Sequence, residues 1–296
     1  MNETIDALHQ KIGKAKTLGS VVRTMKTLAA SNIRQYEEAV RALVDYYHTI
    51  ELGLSASLQV IDSQYSQFIK PGKTPLLTIA VVFGSDQGLV GSFNDQLTEV
   101  ATRKLKELSG RSLILAVGER IQSRLTDAGL ELEKLFAVPG SVDAITPLVG
   151  DILTEVEKLR EKAPMIQLYL FYNSPVSGES YHSLSKRLLP LDIAWEQDIR
   201  HTVAWPTKAI PEMLCGKDTV QWALIREYLF VSLFRACAES LASENASRLS
   251  AMQRAEKNID DMLEELSRLY NGRRQSGIDE ELFDVISGFN ALSDSP

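Results

Sequence analysis

The residues most able to do chemistry in this chain of 296 amino acids lie in a glycine loop, GSDQGLVGSFN, from Gly84 to Asn94. The loop falls between an apolar run and a helical pattern, where backbone N–H groups at a helix start can cradle a phosphate. It has neither the Lys-Ser/Thr ending of a P-loop nor the spacing of a dinucleotide fingerprint. The reading it supports best is a structural turn in which Asp86 and Asn94 tie down backbone. His9, His48, His182 and His201 are scattered, with no carboxylate or cysteine at ligand spacing, and predict no metal centre. Ser183 and Ser185 stand near His182 without the elbow glycines of a nucleophile, so they read as solvated loop or strand edge. Cys215 and Cys237 match neither a zinc spacing nor a redox pair and read as reduced, structural thiols. No cofactor and no catalytic residue is expected.

Composition narrows the partners. Acidic residues outnumber basic ones by 39 to 32, and the net charge of -7 gives no reason to expect a nucleic-acid surface. A hydrophobic share of 44% is enough for a real core, and the length suggests about two domains. The start, MNETIDALHQKIGKAK, has neither the apolar core of a signal peptide nor the Arg and Ser richness of a transit peptide. The most apolar segments, Pro75 to Gly84 and Tyr228 to Phe234, fall short of the roughly 18 residues that cross a bilayer. Any membrane link is expected to run through partners.

Between residues 75 and 190 the grammar is strand, turn, helix, repeated. A buried strand is expected at Leu76–Phe83 and a helix at Asn94–Leu108, then a strand at Ser112–Val117 and a helix at Glu119–Ala128. A short strand near Leu135–Val138 precedes a helix at Val142–Glu161, and a last strong strand at Met165–Tyr172 leads through a turn, Asn173–Gly178, into an extended segment near Ser180–Leu189. Such alternation predicts a mostly parallel sheet covered on both faces. Prolines make 191–216 a connector.

Both ends of the chain carry heptad seams. From Ile5 the apolar step of three and four residues takes in Leu8, Ile12 and Ala15 and runs on to Leu54, broken only at Gly19 and Lys26. From Val231 it takes in Met252, Ile259, Met262, Leu266 and Leu269, broken at Asn245 and Arg248. A sustained period of 3.5 means a left-handed coiled coil. The expected fold is therefore α/β plus all-α: a long antiparallel two-helix coiled coil from the N- and C-termini, with an inserted Rossmann-like α/β domain of about five strands. Its parts are a helix at 3–57, the α/β domain at 75–190, the connector, and a second helix with a single-helix tip at 217–290. At the rise of an α-helix the two helices would span roughly 80 Å and 110 Å. Matching the polar breaks puts Ile12 opposite Ile259 and leaves everything past Leu269 without a partner helix. Ile278, Leu282, Val285, Ile286 and Phe289 would then be bare, which predicts a receiving surface on another protein. The Ala- and Ser-rich run Ala236–Ala251 reads as a face for tight helix packing against Met25–Ser31, and Arg268, Arg273, Arg274 and Gln275 as charged contacts with the same socket.

At these residues the chain resembles the gamma subunit of F-type ATP synthases, as a divergent member of bacterial or archaeal type. MKTLAAS, Met25–Ser31, is similar to the family's M-x-x-(V/L)-A-A-S, and SDQGLVGSFN to S-D-R-G-L-C-G-x-(L/F)-N. The stretch Glu239–Leu282 resembles the family's C-terminal pattern, with Ser243, Glu244, Arg248, Met252, Asn258, Tyr270, Asn271, Arg274, Gln275, Ile278 and Glu281 in place. The chain departs from the family at Thr17–Val22, Gln87, Val90 and Asp279.

The resemblance implies a non-catalytic central rotor shaft that couples ion-driven rotation of the c-ring to conformational cycling of the catalytic alpha/beta hexamer. Partners implied are the alpha and beta subunits, epsilon and the c-ring, at the cytoplasmic face of the cell membrane. It also implies contacts with the head through Met25, Arg268, Arg273, Arg274, Gln275, Asp279 and Glu281, and a bearing tip of Val285, Ile286, Phe289 and Leu292. Two other readings are a central stalk subunit of a vacuolar-type rotary ATPase, which should lack SDQGLVG and the YNxxRQ tail, and a stand-alone α/β nucleotide sensor with coiled-coil arms.

Overall fold

A computed structural model of the chain describes residues 4–60, 77–108, 110–163, 166–176, 180–191, 207 and 216–293. Its elements in chain order are α1 (Ile5–Val60), β1 (Leu77–Phe83), α2 (Phe93–Glu107), β2 (Arg111–Val117), α3 (Glu119–Asp127), β3 (Leu132–Phe136), α4 (Ile145–Glu161), β4 (Ile166–Val176), β5 (Ser180–Leu189) and α5 (Lys217–Ser293). They fall into two compact units, one of residues 29–248 and one of residues 1–28 with 249–296. Most of the expected connector, with Cys215 and His201, lies outside the described residues.

The larger unit is built on a five-stranded sheet in the order β3-β2-β1-β4-β5. The pairs β1–β2, β1–β4 and β2–β3 are parallel, and β5 closes the edge antiparallel to β4. All seven residues of β1 are buried, which is what a central strand covered on both faces requires. Side chains alternate between two cores. Ile79, Val81 and Phe83 join Ile145, Val149 and Ile152 of α4, together with Ile50 and Leu54 of α1 and Ile225 and Leu229 of α5. Ala80 and Val82 face the other way, onto Leu97 and Ala101 of α2 and Ile121 and Leu125 of α3. The four-residue spacing of Phe93, Leu97, Ala101 and Leu105 gives α2 one continuous apolar stripe for that face.

Two strands differ from the sequence expectation. The third begins at Leu132 rather than Leu135, because β3 pairs with β2 through Lys134 and Leu135, and Val138 instead donates its N–H to Asp86. Its polar middle, Glu133 and Lys134, is tolerated at the sheet edge and hides the strand from an apolar pattern. The turn expected at Asn173 starts later, since residues 173–176 pair with 180–183 of β5. A buried asparagine there is stable because Ser183 Oγ donates to its Oδ1 at 2.6 Å and its Nδ2 donates to the Phe93 carbonyl at 3.2 Å.

In the smaller unit the starts and ends of the chain form an antiparallel helix pair. Gly19 lies against Ile259, and the ring of His9 lies 6.0 Å from that of Tyr270. The facing partner of Ile259 is therefore Gly19, one heptad beyond the expected Ile12. Charge and shape set this register where polar-to-polar matching did not. Glu256 accepts from Lys26 Nζ at 2.5 Å and from Arg23 Nε at 3.1 Å, and the side-chain-free Gly19 leaves room for Ile259. Val22, Met252 and Ile259 form the core, with Met25, Ala255 and Leu263 packed against it. Leu8 is buried and Ile12 and Leu266 are half-buried, while Ile5 is exposed at the helix start. Met262 and Leu269 are exposed as well, because the seam passes through Leu263 and Tyr270, one residue further on.

Candidate interaction surface

Beyond Tyr270 the described side chains of α5 are exposed and the helix continues to Ser293. Exposure there is continuous from Asn271 to Ile286, Gly277 excepted, and it includes side chains that water does not favour: Ile278 at 54%, Leu282 at 57%, Phe283 at 68%, Val285 at 71% and Ile286 at 47%. Ile278, Leu282, Val285 and Ile286 follow the i, i+4, i+7, i+8 spacing of a single helix face. A contiguous apolar stripe exposed on it marks a surface that another molecule covers. Phe289 and Leu292 belong to the helix, but their side chains lie outside the described residues.

Charge changes along the same segment. Arg268, Arg273, Arg274 and Gln275 come first and are exposed, Arg268 held by Glu264 at 2.8 Å one turn back. Asp279, Glu280, Glu281 and Asp284 follow, all exposed. The surface is thus basic, then acidic, around a stripe of apolar side chains, a pattern suited to docking and not to bond making. Met25 is placed differently from these. It is half-buried against the Val22, Met252 and Ile259 core, so only part of it faces outward.

A second exposed stripe was not singled out from the sequence. Leu18, Val21 and Leu28 on α1 are 55%, 50% and 58% exposed, beside the seam rather than in it. The signal was available, because apolar residues at 18, 21 and 28 repeat the heptad one position out of phase with the seam.

The glycine loop spends its polar groups internally. Asn94 Oδ1 accepts from the Ser85 N–H at 3.1 Å and its Nδ2 donates to Ser85 Oγ at 2.8 Å. Asp86 accepts from the N–H groups of Glu119 and Val138 at 3.0 and 3.1 Å, pinning the loop to the start of α3 and the end of β3. A side chain on Gly84 would meet Ile121 at 2.2 Å, so the first glycine serves close packing of α3. Leu89, exposed at φ 63, and Gly91 at φ 57 make the turn. His182 is exposed, Ser183 is committed to Asn173, and among the described residues no group of three His, Cys, Asp or Glu side chains is arranged to hold a metal ion. No helix among them is long and apolar enough to cross a membrane.

Within the Ala- and Ser-rich run of α5, Asn32 Nδ2 of α1 reaches Asn245 Oδ1 at 3.5 Å, so the facing helix is close. Glu244 and Arg248 are both nearly buried and pair at 2.6 Å, and Glu244 Oε2 and Arg248 Nε find no hydrogen-bond partner among the described residues. Burial, more than Arg248 offsets, pushes the Glu244 carboxyl above its ordinary value, and Asp86 adds to the rise.

The sequence profile described as ATP synthase matches residues 4–292. The ATP synthase gamma chain of a Polaromonas species is 26% identical over 285 residues, 95% of this chain and 97% of that protein. The ATP synthase gamma chain of Glaesserella parasuis is 26% identical over 288 residues, 96% of this chain and 98% of that protein. Among solved structures, a rotor chain of the Euglena gracilis mitochondrial ATP synthase aligns with a TM-score of 0.58 at 18% identity, covering 93% of this chain and 98% of that one. A chain from the OSCP/F1/c-ring part of the Euglena enzyme gives a TM-score of 0.60 at 18% identity, over 97% of this chain and 94% of that one. These two likenesses concern the fold.

Proposed function

We propose, for a chain that belongs to the ATP synthase gamma family and is the central rotor shaft of an F-type ATP synthase, that the bare end of α5 is the part that turns inside the catalytic head. The observation that carries this is the apolar stripe from Ile278 to Ile286, exposed near the end of α5. Sealed inside a ring of alpha and beta subunits, such a stripe is covered without directional bonds, and a bearing needs contacts of that kind because nothing directional has to break at each step. Val285, Ile286, Phe289 and Leu292 are the bearing residues in this account. Arg268, Arg273, Arg274, Gln275, Asp279 and Glu281 are the charged contacts below it, and Met25 with Leu18, Val21 and Leu28 extends the surface along α1.

Catalysis then belongs to the partners. Hydrolysis or synthesis takes place in the beta subunits, and this chain changes their nucleotide affinity by touching each of the three differently, a coupling through differential contact with discrete states. The sheet-bearing unit is the foot, resting with epsilon on the ring of c subunits at the cytoplasmic face of the membrane. Tagged protein purified from its native host should bring down alpha, beta and epsilon in fixed proportion. Recovery of the chain alone, under conditions that keep the head intact, would exclude the rotor assignment.

A further inference from the structure

Three serines in α5 hold more than a helix partner. Ser240, Ser243 and Ser247 are buried and stand at i, i+3 and i+7, on one helix face. Ser240 Oγ donates to the carbonyl of Phe83, the last residue of β1, at 3.0 Å. Ser243 Oγ donates to the carbonyl of Asn173 in β4 at 3.1 Å, and Ser247 Oγ to the carbonyl of Val90 in the glycine loop at 2.5 Å. A hydroxyl inside a helix commonly turns back on the carbonyl one turn before it, as Ser123 and Thr154 do here. These three reach outward instead, to two strands of the sheet and the loop that follows one of them.

We propose that Ser240, Ser243 and Ser247 are the torque key of the rotor, the contact through which a turning load on the sheet enters α5. The proposal rests on the rotor assignment above. Apolar side chains in the same joint resist separation but are not directional, so they allow a helix to roll or slide against a sheet. Hydrogen bonds weaken steeply as donor and acceptor swing out of line. Three of them, at successive heights along α5 and aimed at a strand end, a strand and a loop, oppose both rolling and sliding. Buried Ala236, one turn before Ser240 on the same face, leaves the helix backbone close enough for such short side chains to reach. Asn173 is itself tied to Phe93 and Ser183, so load taken from α5 spreads into α2 and β5 and not into one strand end.

The test uses the reconstituted complex, with the head fixed to a surface, a probe on the exposed face of α2, and rotation stalled by a non-hydrolysable nucleotide. In the Ser240→Ala, Ser243→Ala, Ser247→Ala variant the angular variance of the probe should rise about two-fold, because the directional bonds of the joint are gone. Fewer ions should move per ATP hydrolysed, while unloaded hydrolysis keeps its rate. Ser123→Ala with Thr154→Ala, which removes two helix-internal bonds, should leave the variance unchanged. Equal variance in the triple variant and the parent overturns the key. If the triple variant does not assemble, Ser247→Ala alone is read in the same way, and an unchanged variance there overturns it equally. A parent complex that does not turn when ATP replaces the non-hydrolysable nucleotide would instead overturn the rotor assignment.

Discussion

Glu244 and Arg248 are the pair on which a single substitution has the sharpest expected effect. Each has a side chain almost out of solvent, and among the described residues each keeps one polar atom unpaired, so the mutual bond carries the pair. Arg248→Leu would strand a buried carboxylate and should lower stability by about 3 kcal/mol, read by urea denaturation. The pH dependence follows from the direction of the Glu244 shift. Its folded value lies above the 4.5 of the free side chain, so in the window above that value the native state binds more protons than the unfolded one. Stability from this group is present in acid and is lost as pH rises through the window. Glu244→Gln does not titrate, so its stability relative to the parent should climb across the same range, whatever fixed amount the substitution costs. Parallel pH profiles for the two proteins would contradict the shift. The residues of this pair were visible in the sequence as part of a motif, but their burial was not. Burial comes from the glycine loop and α1 closing over α5, contacts separated by some 150 residues or more that no local pattern records.

At the scale of elements, the helix pair of residues 1–28 and 249–293 has a register that cross-linking can read. Gly19→Cys with Ile259→Cys should oxidise readily, since a Cβ on Gly19 would sit 3.4 Å from the Ile259 side chain. Ile12→Cys with Ile259→Cys should not, and rapid bridging of that second pair would refute the register. The seam of α1 could be read from one apolar frame. On α5 two frames compete, 252–255–259–262 and 252–256–259–263, and apolar content favours the first, because the second carries Glu256. Ion pairing overrides that preference, because Glu256 meets both Arg23 and Lys26, and the Lys26 bond holds its carboxyl below the usual range. The sheet was legible where strands are central and wholly apolar, as in β1. It was less legible at the edge, where β3 can keep Glu133 and Lys134 in solvent and still pair.

For the whole molecule, the work is divided between an apolar tip that must slip and a polar joint that must not. The tip has exposed Phe283 and Val285, while the joint has three buried hydroxyls aimed at three carbonyls. That division was half written in the sequence. The end of the seam exposes the tip to view, whereas the joint looks like an ordinary run of good helix formers until the strand ends are in place beside it. The most direct test of the central claim is to fix the catalytic head, attach a probe to the exposed face of α2, add ATP and watch the probe. The account predicts rotation in one direction with three pauses per turn, abolished when the chain is cut before Ile278. A head that hydrolyses ATP while the probe stays still, or turns equally well with the tip removed, would contradict it.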